Sequence, residues 1–173
     1  MNVLSDLLKI FIPSSLVLVG MYLVIKNLVV KELQQAKLEL KNKSFETVLP
    51  LKLQASERLC LFLERNALNN LVLRVNEPGI TVSYFHQKLL KEIRNEYNHN
   101  LAQQLYVSSK TWSAVKLSVQ DITLLINNAV KGLDPNAKSI ELAKKIFDEA
   151  LALKTDPTSN ALQLVKAEVQ QFF

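Results

Sequence analysis

Glycine, cysteine, histidine and arginine are all scarce in this 173-residue chain, and each shortage removes a class of function. The three glycines, Gly20, Gly79 and Gly132, stand far apart. A Walker loop or a dinucleotide turn needs several close together, because backbone amides must approach the phosphate. Nucleotide binding by those routes is excluded. The single cysteine, Cys60, lies in RLCLFL. It has no disulfide partner and reads as a small core hydrophobe in a reducing compartment. The arginines Arg58, Arg65, Arg74 and Arg94 lie near Glu57, Glu64 and Glu92 and read as helix-surface pairs. Ser108, Ser109 and Asp121 lack the strand-turn-helix elbow that would make a nucleophile of a serine. Zinc through Cys60 lacks ligand spacing. No catalytic residue, metal site or cofactor is expected, and the chain reads as a non-enzyme.

Apolar residues, by contrast, make up 49% of the chain, enough for a compact core plus an appendage. From Ile10 to Ile25 the sequence IFIPSSLVLVGMYLVI carries no charge between Lys9 and Lys26. As a helix this run covers roughly 24 Å, and flanking Leu7, Leu8, Leu28, Val29 and Val30 extend it. Pro13, Ser14 and Ser15 lie near one end, where a kink costs little. A cleaved signal peptide fits poorly, because Lys26-Asn27 stands where a small-residue cleavage site belongs. The run is therefore expected to be a single transmembrane anchor.

The basic residues are unevenly placed around it. Lys9 precedes the run, whereas Lys26, Lys31, Lys37, Lys41 and Lys43 follow it. The segment from Lys26 to Ser44 sets these five lysines against Glu32 and Glu39 only, and so holds most of the net charge of +5. The positive-inside rule then places the N-terminus outside and the C-terminal body in the cytoplasm. The same lysines suit anionic lipid at about 1 kcal/mol each. The expected layout is an anchor over 1–30, a helical stalk or linker over 31–48, and a cytoplasmic α-helical domain over 49–173.

The body reads as all-α, a bundle of about five or six helices. In the stalk, Val29, Leu33, Ala36 and Leu40 recur at 4-3-4 spacing. Lys43 and Thr47 break this stripe, so a solvated linker is favoured over a coiled-coil seam. Pro50 is expected to interrupt the chain before a helix that buries Ala55, Leu59, Phe62 and Leu63. The segment 69–75 is open to strand or helix, with helix or coil favoured for want of a pairing strand. Asn76-Glu77-Pro78-Gly79 is a turn.

Thr81 or Ser83 caps a helix expected to bury Leu89, Leu90, Ile93, Tyr97 and Leu101. Ser108 or Ser109 caps the next, with Trp112, Val115, Val119, Ile122 and Ile126 inward and Gly132 as its left-handed terminus. Ser139 opens a helix with Leu142, Ile146 and Ala150 inward. Asp156-Pro157 signals the start of the last, which carries Leu162, Val165, Val169 and Phe172.

The polar residue that stands out is Glu96, three before His99. Helical di-metal sites use two such units with further glutamates, and His86 has Ser83 at the matching place. Helical periodicity puts Glu92, Glu96, His99 and Gln103 opposite the apolar stripe, so this face reads as a polar surface open to a partner. A second candidate partner surface is Glu57, Arg58, Glu64 and Arg65. Tyr97, Tyr106 and Trp112, with Gln103 and Gln104, read as a hydrogen-bonded helix junction.

The segments LPLKLQASERLCLFLERN (49–66) and RNEYNHNLAQQLYVSSKTW (94–112) resemble an uncharacterised family of single-pass membrane proteins from Bacteroidota. The resemblance covers nearly the whole chain and implies an anchor in the bacterial inner membrane with a cytoplasmic helical body. It implies no catalytic residues. Similar sequences are expected to carry an aromatic where Ser56 stands and a proline near Leu68, which implies a looser turn here. The functional expectation is a membrane-tethered interaction or scaffold protein that contacts the lipid bilayer and a protein partner or a second copy of itself. No small-molecule substrate is evident. A metal enzyme using Glu96 and His99 across a dimer is one alternative. An RNA or ribosome contact through Lys26–Lys43 is the other, although nucleic acid is the poorer partner for so local a charge.

Overall fold

The computed structural model describes residues 3–153 and 155–172, with side chains described at 11, 15–153 and 155–172. Among the described residues the regular structure is six α-helices and one 3-10 segment, with one isolated bridge between Thr81 and Lys138. The fold is all-α. The chain divides into two compact units, Met1–Leu49 and Pro50–Phe173.

The first unit is the leading part of α1 (Val3–Asn66), whose side chains from 15 to 48 are all exposed. Among the described residues no helix is long and apolar enough to cross a membrane. The leading part of the expected anchor, including Lys9, Ile10, Pro13 and Ser14, has its side chains outside the described residues. The expected break at Pro50 is absent, because α1 continues unbroken to Asn66. A proline inside a helix removes one hydrogen bond, at a cost of about 3 kcal/mol. The turns beyond it offset that cost by burying Ala55, Leu59, Phe62 and Leu63. One turn before Pro50, the Thr47 hydroxyl donates back to the Lys43 carbonyl at 2.9 Å.

In the second unit Ala67 alone separates α1 from α2 (Leu68–Val75). The structure makes the turn there a single residue. It also resolves 69–75 as helix, because Leu68, Leu71, Val72 and Val75 fall at helical spacing and all are buried. After the turn at Gly79, whose φ of 86° suits glycine, Thr81 caps α3 (Val82–Asn100) by accepting from the Tyr84 amide at 3.3 Å. The buried face of α3 is Val82, Phe85, Leu89 and Ile93. Leu101, expected inward, is exposed, since the backbone tightens there into a 3-10 segment, Leu101–Leu105.

Ser108 caps α4 (Ser109–Ala129), accepting from the Thr111 amide at 3.2 Å. Gly132 takes the left-handed conformation, with φ 78°, one residue later than a tight helix terminus needs, after a further turn through Val130. α5 (Ser139–Ala152) starts where expected. The last helix, α6 (Ser159–Gln170), starts later than Asp156-Pro157 suggests. The Asp156 carboxylate accepts instead from the amide and hydroxyl of Thr158, at 2.7 and 2.6 Å. That is a local turn before the helix, of the kind aspartate forms with the residue two ahead.

The core of this unit has two parts. The larger joins α2, α3, the second half of α4 and α5, around Phe85, Leu89, Ile122, Ile126, Leu142 and Ile146. The smaller joins the end of α1, the start of α4 and α6, around Leu59, Phe62, Leu63, Val115, Ala161 and Val165. Val119 of α4 packs against both.

Candidate functional site

Some of the polar residues singled out in the sequence, Arg65, Glu92 and Glu96, meet where the end of α1 and α2 face α3. Helix α1 brings Glu57, Arg58, Glu64 and Arg65 to its exposed side, opposite the buried stripe of Leu59, Phe62 and Leu63. Arg65 reaches across to α3 and binds Glu96 through two nitrogens, Nε at 2.8 Å and Nη2 at 2.7 Å. Arg74 of α2 pairs with Glu92 of α3 and also donates to the Arg65 carbonyl at 3.3 Å. Asn70 closes the corner by donating to the Glu64 carbonyl at 2.8 Å. Two of the four arginines, Arg65 and Arg74, thus pair between helices rather than along one helix surface, stapling α1 and α2 to α3.

The set Glu92, Glu96, His99 and Gln103 is therefore divided. Glu92 and Glu96 are committed to arginines, and Gln103 is buried in the 3-10 segment, whose altered turn swings it inward. His99 alone of the four is exposed. Glu96 and His99 are not joined by further ligands, and among the described residues no group of three or more His, Cys, Asp or Glu is placed to hold a metal ion. Beside the staple, Leu61 and Leu73 are 56% and 74% exposed and line an open groove of about 420 Å³ with Glu64, Arg65, Asn70 and Arg74. The groove sets exposed leucine beside charges already held in pairs.

Two further expected features have a definite place. Tyr97 stacks on Trp112, ring centroids 5.8 Å apart and planes 19° from parallel, while Phe62 tilts against Tyr97 at 6.4 Å. The junction is made by ring stacking in the smaller core. Cys60 is half-buried beside it, and burial pushes its thiol above the ordinary 9.0.

Sequence reasoning missed Glu168. From α6 it accepts the Ser108 amide at 2.7 Å, the Ser108 hydroxyl at 2.8 Å and the Thr111 hydroxyl at 2.5 Å. Burial alone would raise this carboxyl. The hydrogen bonds from Thr111 and Ser108, with Lys52 nearby, outweigh burial and hold it below its ordinary 4.5. The Ser108–Thr111 pair marks a helix start in sequence, but nothing local points to a glutamate 60 residues on.

Compared with known families, residues 2–172 match the model of a family of unknown function, DUF7935. The chain belongs to this family. No curated protein and no solved structure matches it. The family description assigns no activity.

Proposed function

We propose that the chain is a membrane-tethered interaction protein, held in a bacterial inner membrane by the start of α1 and presenting its helical body in the cytoplasm to a protein partner or a second copy. The supporting observation is the exposed apolar length of α1. Leu16 to Val19, Met21 to Ile25 and Leu28 to Val30 are each 45–69% exposed on one continuous helix. Apolar surface this extensive is not left in water by a stable monomer. Covering it is worth on the order of 10 kcal/mol. Ile10 to Val30 would reach roughly 31 Å as helix, matching a hydrocarbon core, with Lys26 snorkelling near one end. The lysines that follow, Lys31, Lys37, Lys41 and Lys43, are exposed and suit an anionic cytoplasmic leaflet.

The alternatives draw less support. A metal site across a dimer needs Glu96 as a ligand, and Arg65 occupies that carboxylate. An RNA contact through Lys26–Lys43 would use charges that topology and lipid already account for.

Fractionation of cells producing the full chain tests the reading. The protein should stay with membranes through high salt and alkaline carbonate. The double variant Val19→Lys, Val24→Lys should release it. Wild-type protein in the soluble fraction would refute the anchor. A reporter fused after Phe173 should be active only on the cytoplasmic side.

A further inference from the structure

Four residues of α1, Val29, Leu33, Ala36 and Leu40, share one exposed face at 4-3-4 spacing. Val29, Leu33 and Leu40 are 47%, 58% and 67% exposed, and Ala36 is exposed between them. We propose that this face is a short parallel coiled-coil seam whose occupant is the same segment of a second copy. The proposal rests on the anchor reading above.

Charge selects the occupant. With Leu33 and Leu40 at the first core position of each heptad and Val29 and Ala36 at the second, Glu32 and Glu39 fall just before a core position, and Lys37 just after. In a parallel pair each Glu32 faces Lys37 of the other copy, giving two opposite-charge contacts by symmetry. An antiparallel pair would set glutamate against glutamate. Two copies anchored in one membrane with the same topology can meet only in the parallel sense. Ala36 permits close approach of the backbones, while Lys26 and Lys43, at core positions beyond either end, repel their counterparts and confine the seam to these residues. Four side chains per copy bury far less than the roughly 1,600 Å² of a standard interface. The pair therefore depends on membrane confinement, which raises the effective concentration without new contacts.

The test uses the full chain in native membranes, with Cys60→Ala and a single new cysteine per variant. Leu33→Cys and Ala36→Cys lie in the seam, whereas Gln34→Cys and Leu38→Cys lie on the far side of the helix. Oxidative crosslinking to dimer is expected at least about tenfold faster at the seam positions than at the others. Adding Leu40→Glu to the Ala36→Cys variant should abolish its crosslink while the protein stays in the membrane fraction. Membrane-bound protein that crosslinks equally at all four positions, or at neither seam position, overturns the seam and leaves the anchor standing. Protein found in the soluble fraction fails the anchor and takes the confined pairing with it.

Discussion

At the scale of single residues, hydrogen bonding outweighs burial at Glu168 and falls short at Asn66. Glu168 gathers three donors at the start of α4, and its folded pKa is lowered. Stability from a depressed carboxylate is fully present above its unfolded value, ordinarily 4.5, and is lost as pH falls through the lower folded value. Thermal melts should therefore show a drop in stability on acidification below that value. Glu168→Gln should flatten this part of the pH profile and cost about 1 kcal/mol at neutral pH, since the group is partly solvated. Asn66 has the opposite problem. It is 1% exposed at the end of α1, donates to the Phe62 carbonyl at 2.8 Å, and its Oδ1 has no partner among the described residues. Asn66→Asp places a carboxylate there with nothing to stabilise its charge. Urea unfolding at pH 7 should report a loss of about 3 kcal/mol, shrinking as the pH is lowered and the new acid is neutralised.

At the scale of elements, what was legible in the sequence was what depends on local periodicity. The stripe Ala55, Leu59, Phe62 and Leu63 is buried in full, and Thr81 and Ser108 cap the helices they precede. The residues that escaped are decided by partners far along the chain. Arg65 and Glu96 are 31 residues apart, and no periodicity announces their pairing. Gln103 lies on a polar face only while the helix is regular, and the 3-10 turn reverses its burial. Pro50 carries a local break signal that packing overrides. The Gly132 turn is the reverse case, where backbone conformation fixes residue type. At φ 78°, Gly132→Ala should destabilise by about 1 kcal/mol in a denaturant titration, although no atom crowds the added methyl. A double-mutant cycle on Arg65→Gln and Glu96→Gln should give a coupling of about 1 kcal/mol that diminishes with salt. No coupling would mean the staple merely decorates the surface.

At the scale of the whole molecule, the chain combines a fully exposed helical unit, residues 15–48, with a packed body of two hydrophobic clusters. Each cluster draws on four or fewer helices, and α4 supplies residues to both: Val115 to the smaller, and Ile122, Leu125, Ile126 and Ala129 to the larger. Neither cluster can dissolve without stripping one flank of the same helix. Heating should therefore register as a single event in the body. Fluorescence of Trp112, the chain's one tryptophan, sits in the smaller cluster, and deuterium uptake at α2 and α5 reports on the larger. The two signals should move together, and a weakening placed in either cluster should be felt at the same temperature in the other.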